Sequence, residues 1–132
     1  MEPKVVALVQ ESWAKVIPIA DAAGKLFYTN LFEAEPGLRA LFKGDIDEQA
    51  GKLVQMISVA VSKLDEPDVL IPALTQLGRR HVGYGVVPTH YDAVGTALIK
   101  TLEQGLGPAF TADVKDAWVS VYSVMTQVMT KQ

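Results

Sequence analysis

Two histidines, His81 and His90, are the only imidazoles in the 132 residues, and no cysteine accompanies them. Their spacing does not place them as a chelating pair on one helical face, and without thiolates there is no second soft ligand to close a tetrahedral zinc site. The lack of cysteine also removes disulfides, iron–sulfur clusters and cysteine nucleophiles. Ser12, Ser58, Ser62, Ser120 and Ser123 all fall inside helical periodicity, none on the strained elbow that a hydrolytic serine needs. The glycines form neither a phosphate-binding loop nor a dinucleotide fingerprint. Glu33, Glu35, Asp45, Asp47 and Glu48 lie near helix ends and loops, where solvation and dipole complementarity account for them. His81 is left. It follows Leu70, Leu74 and Leu77 on one helical stripe, three leucines and then an imidazole. On spacing alone such a histidine reads first as a hydrogen-bonded core residue.

The elements that would carry it are helices almost from end to end. Val5, Val9, Trp13 and Val16 recur at helical spacing, then Leu26, Phe27 and Leu31, with a junction near Pro18. Glu35, Pro36 and Gly37 stop the second helix and begin a short turn-like one that ends at Leu41 and Phe42, with Pro36 in its first turn. Lys43, Gly44 and Asp45 read as a loop, and Asp47 is expected to cap the helix whose buried face is Leu53, Met56, Ile57, Ala60, Val61 and Leu64. A corner at 65–68 precedes the His81 stripe, and Gly83, Gly85 and Pro88 end it. Val94, Ala97, Leu98, Leu102 and Leu106 mark a long helix closed by Gly107 and Pro108. Thr111 opens the last, with Val114, Trp118, Val121, Met125, Val128 and Met129 buried and Asp113 and Asp116 expected in its first turn. No stretch alternates with the period of a strand, and there are no repeats.

Length and composition set the outer limits. The residues 1–132 suit one domain, and 49% hydrophobic with 20% charged residues describes a chain that folds around a core. A net charge of −3, with no basic run beyond Arg79 and Arg80, argues against nucleic acid or an anionic membrane as partner. Polar Gln10, Glu11 and Ser12 in the opening helix do not suit an export signal, and apolar runs such as 5–9 are far short of the roughly 20 residues that span a bilayer. The expectation is a soluble, cytoplasmic protein, monomeric or weakly dimeric.

Four segments taken together, KLFYTNLF at 25–32, PGLRALF at 36–42, RHVGYGV at 80–86 and HYDAVG at 90–95, resemble the single-domain bacterial haemoglobins and the haem domain of flavohaemoglobins. The likeness covers essentially the whole chain, and the ungapped interval from Gln49 to His81 matches the family's spacing between its distal and proximal positions. The resemblance implies an all-α globin fold, a 3-on-3 helical sandwich with helix D absent or reduced, holding haem b (iron protoporphyrin IX). His81 takes the proximal position, where one imidazole nitrogen ligates iron and the other donates to a nearby acceptor. Phe42 matches the phenylalanine that stacks on the porphyrin. Tyr28, Gln49 and Leu53 match the distal residues, so that a hydroxyl and an amide are aimed at a polarised ligand. Leu77, Val86 and Val94 would line the ring, and Lys52 and Arg80 would pair with its propionates. Tyr91 resembles the tyrosine that supports the proximal histidine through a glutamate near the end of the last helix, but 117–132 contain no glutamate.

For function the resemblance implies reversible dioxygen binding of high affinity and slow release, suited to storage, scavenging or protection from nitric oxide. Carbon monoxide and nitric oxide are further ligands. One alternative is a nitric oxide dioxygenase that depends on an external reductase, because the sequence offers no flavin or nicotinamide site. Another is a gas or redox sensor.

Overall fold

The computed structural model describes residues 2–42, 44–83 and 88–130. Six α-helices follow in order: α1 Pro3–Val16, α2 Ala20–Ala34, α3 Ile46–Ser62, α4 Pro67–Gly83, α5 Pro88–Leu106 and α6 Ala112–Thr130. Short 3-10 segments at Ile17–Ile19, Pro36–Leu41 and Gly107–Ala109 join them, and no strand occurs among the described residues. The all-α reading is thus correct. Between Leu41 and Ile46 the described residues form no helix, as expected if helix D is absent.

Proline marks the helix starts because its missing N–H costs nothing in a first turn. Pro3 opens α1, Pro36 opens its 3-10 segment, and α4 and α5 begin at Pro67 and Pro88. Gly107 takes a left-handed φ of 55° just past α5. Two capping expectations need correction. Asp45, not Asp47, caps α3: its extended backbone lets the carboxylate accept the Asp47 N–H at 2.9 Å, leaving Asp47 in the first turn. In α6 only Asp113 falls in the first turn, and Asp116 lies beyond it. Thr111 is the cap expected there, accepting the Val114 N–H at 3.3 Å.

α1 and α6 pack through a tryptophan pair. The Trp13 and Trp118 rings lie 5.9 Å apart, and Trp118 Nε1 donates to Ser12 Oγ at 2.8 Å inside the core. Trp13 Nε1 donates to Ser58 Oγ of α3 at 2.9 Å. Where α2 crosses α5, the Asn30 amide donates to both Thr101 Oγ1 and Gln104 Oε1, each at 3.0 Å. α2 also crosses α3 closely, since a Cβ on Gly24 would stand only 3.0 Å from that of Ala50. Helix α4 packs chiefly on α6. Among the described residues it makes little or no contact with α2 or α3, although only a four-residue corner at 63–66 separates it from α3. The two helices leave that corner and diverge.

Candidate functional site

Helix α2 carries an aromatic cluster. The helical spacing that buries Phe27, Tyr28 and Leu31 turns Tyr28 onto Phe42, with ring centroids 5.1 Å apart in an edge-on contact at 72°. Phe32 completes the cluster, 5.7 Å from Tyr28 and 5.6 Å from Phe42. Arg39 secures it: its guanidinium donates to the Phe42 carbonyl and lies over the Phe32 ring, 5.8 Å from the centroid.

Tyr28 itself is only 4% exposed, yet among the described residues its hydroxyl has no hydrogen-bond partner. Among the described residues no side-chain oxygen or nitrogen is both sealed from space and unpaired, so the Tyr28 hydroxyl still opens onto room beside it. A core tyrosine bonded to a backbone carbonyl, the ordinary alternative, is not what the structure holds. Burial pushes its pKa up to about 12, which keeps the phenol protonated and able to donate. Gln49 lies half-buried in the first turn of α3, and Leu53, one turn on, is half-buried against the core. Behind Leu53 a small cavity of about 20 Å³, lined by Trp13, Gly24, Phe27, Ile57 and Leu102, is almost wholly apolar.

On the α4 side, His81 Nδ1 lies 2.7 Å from the Leu77 carbonyl oxygen, one turn earlier. A carbonyl only accepts, so Nδ1 carries the proton and Nε2 is the nitrogen with a lone pair in the neutral ring. The Tyr91 ring of α5 stands 6.2 Å from that of His81 at 30°. Tyr91 is fixed from α6, where Tyr122 donates its hydroxyl to the Tyr91 carbonyl at 2.6 Å. Burial raises the pKa of both tyrosines. Leu77 and Val94 are half-buried and packed against the core.

The structure therefore joins Tyr28 to Phe42 and His81 to Tyr91, with Leu77 and Val94 on the helices of the second pair and Gln49 and Leu53 on α3. Lys52 and Arg80 are exposed, and Lys52 pairs with Glu48 at 3.6 Å across one turn. Val86 lies outside the described residues. Three contributors were not legible as site residues: the Leu77 backbone carbonyl, Arg39 three positions before Phe42, and Tyr122 on the α6 stripe. Only Tyr122 left a signal, four residues after the buried Trp118.

These features fit a flat, largely apolar cofactor that brings its own metal. Among the described residues no cluster of three or more histidines or carboxylates offers to hold a bare ion. The chain offers instead an imidazole whose Nδ1 proton is committed to the Leu77 carbonyl, and a tyrosine hydroxyl with no partner among the described residues.

Comparison with known proteins gives the family. Residues 25–129 match the Globin family model, and the chain belongs to that family. Haem and the binding of diatomic gases come with that membership. The chain is 33% identical to Neuroglobin of Danio rerio over 94% of its own length and 87% of that protein. It is 31% identical to a Flavohemoprotein of Bordetella parapertussis over 98% of its length, but spans only 33% of that longer protein. An engineered carbene transferase made from a proposed nitric oxide dioxygenase of Rhodothermus marinus superposes with a TM-score of 0.87 at 25% identity, covering 98% of this chain and 91% of the other. No helix among the described residues is long and apolar enough to cross a membrane.

Proposed function

We propose that the divergence of α3 and α4 receives haem b and that this domain, spanning 1–132, binds dioxygen tightly and releases it slowly. The observation that carries the reading is the protonated hydroxyl of Tyr28, which sits on a buried ring, opens onto space and has no hydrogen-bond partner among the described residues. Haem b supplies, when bound, a ferrous iron that takes dioxygen, carbon monoxide or nitric oxide reversibly. His81 would hold the iron through Nε2, while the Leu77 carbonyl fixes the ring in one tautomer and would raise its basicity. Tyr28 would donate a hydrogen bond to the bound gas, and the Gln49 amide would add a second. Both act at little reorganisation cost, because Phe32, Phe42 and the core hold Tyr28 in place beforehand. Phe42, Leu53, Leu77, Tyr91 and Val94 would supply the apolar surroundings that exclude water from the ring, and the exposed Lys52 and Arg80 would meet its propionates.

The test is the rate of dioxygen release in stopped flow. Tyr28→Phe is expected to speed it at least about tenfold, the equivalent of roughly 1.4 kcal/mol. An unchanged rate would remove Tyr28 as a donor and with it the tight-binding role.

A second reading draws on the flavohemoprotein and Rhodothermus marinus relatives. Joining nitric oxide to dioxygen gives nitrate and takes up one electron, so turnover needs an external one-electron reductase. Nitrate formation that continues past the first equivalent only when such a reductase is supplied supports it. Storage or scavenging is favoured where it does not continue, and a partner whose affinity follows the ligand state would instead indicate a sensor.

A further inference from the structure

Helix α4 meets α6 through backbone, at one glycine. Gly78 is buried on the same face as Leu74 and His81. A Cβ built on it would stand 2.2 Å from the carbonyl oxygen of Met129 and 2.8 Å from its carbonyl carbon and Cα. Real Cβ atoms essentially never come within 3.0 Å of such neighbours, and backbone, unlike the end of a long side chain, cannot swing aside. Met129 is itself buried, in the last turn of α6, where helix carbonyls have no intrahelical partner.

The position of the contact gives it a consequence for the site. The peptide unit between Leu77 and Gly78 carries the carbonyl that takes the His81 Nδ1 proton. Met129 therefore abuts the α-carbon attached to the group that orients the imidazole. Nothing else packs against α4 so closely, since α2 and α3 hardly touch it among the described residues.

We propose that the Gly78–Met129 backbone contact is the stop that sets the seat of α4 and, through the Leu77 carbonyl, the placement of the His81 imidazole. Gly78 is then a positioning residue for the proximal ligand, and the last turn of α6 is a part of the haem site that touches no cofactor. This rests on the reading of His81 as the axial ligand. A side chain at 78 either lifts α4 bodily, moving His81 with it, or tilts the 77–78 peptide and spoils the bond to Nδ1. Both alter the iron–imidazole bond.

The measurement is the iron–imidazole stretching band in the resonance Raman spectrum of the ferrous, ligand-free protein, recorded with thermal melting. Gly78→Ala is expected to shift the band. Met129→Ala removes a buried side chain but keeps the backbone contact, so it is expected to lower the melting temperature and leave the band where it is. If Gly78→Ala takes up no haem, Met129→Gly is compared with Met129→Ala. Both lose the side chain, and only the glycine loosens the backbone, so the band is expected to shift or broaden in Met129→Gly alone. An unmoved band in Gly78→Ala overturns the proposal, as do equal spectra for the two Met129 variants or a shift that merely tracks lost stability. A wild-type protein with no such band overturns the His81 reading itself, which separates the two failures.

Discussion

Between α1, α2, α5 and α6 the polar groups that reach the core are answered: Trp118 by Ser12, and Asn30 by Thr101 and Gln104. Elsewhere on α2 the ring of Tyr28 is buried, but its hydroxyl opens onto space and finds no partner among the described residues. Phe42, Leu53, Leu77 and Tyr91 are half-buried and not sealed. The first region is finished by the chain's own side chains. The second leaves a phenol hydroxyl that no described residue answers. A hydroxyl that opens onto space need not cost stability, and it supplies binding energy when a polarised ligand arrives.

The contrast is broken most severely from the packed side. Trp118→Ala removes a side chain that is 1% exposed together with its bond to Ser12, and is expected to cost about 3–5 kcal/mol in denaturant unfolding. Asn30→Ala leaves Thr101 and Gln104 without their donor and should cost about 1–3 kcal/mol by the same measurement.

On the cleft side the haem-free chain is expected to respond little at neutral pH. Tyr28→Phe deletes a hydroxyl with no protein partner, so its unfolding free energy should stay within about 0.5 kcal/mol of wild type. A large loss would mean that the hydroxyl is structural after all.

The difference shows itself in alkali. Native Tyr28 holds its proton up to about 12, whereas the unfolded residue gives it up near 10. The unfolded state is therefore the better acid, and stability that is whole below pH 10 drains away as pH rises toward 12. Tyr91 and Tyr122 are shifted in the same direction and steepen the fall. Alkaline unfolding followed by circular dichroism should be less steep in Tyr28→Phe than in wild type.

Much of the packed region was legible because one rule generates it. Apolar residues at helical spacing located all six helices, and Pro18, Pro36, Pro88 and Gly107 located their joints. The misplaced cap at Asp47 shows where the rule thins: two aspartates two positions apart serve equally well until the backbone conformation of Asp45 is known. The cleft was less legible. His81 and Tyr28 stand on apolar stripes, where their types look like core residues, and only the resemblance of whole segments assigned them roles. The Leu77 carbonyl carries no side-chain signature. Gly78 reads in sequence as a weak helix former, and its meaning depends on which helix crosses it.

The central claim is that the cleft holds haem through His81, and the visible absorption spectrum tests it most directly. The protein expressed with haem supply would be recorded as ferric, reduced, dioxygen-exposed and carbon-monoxide-exposed samples, beside His81→Ala. The account requires a strong Soret band at one haem per chain that moves with each ligand in the wild type and collapses in the variant. Stoichiometric haem with the same ligand-dependent shifts in His81→Ala would contradict the assignment of the axial ligand. A wild-type chain that folds but takes up no haem would leave the helices standing and contradict the function.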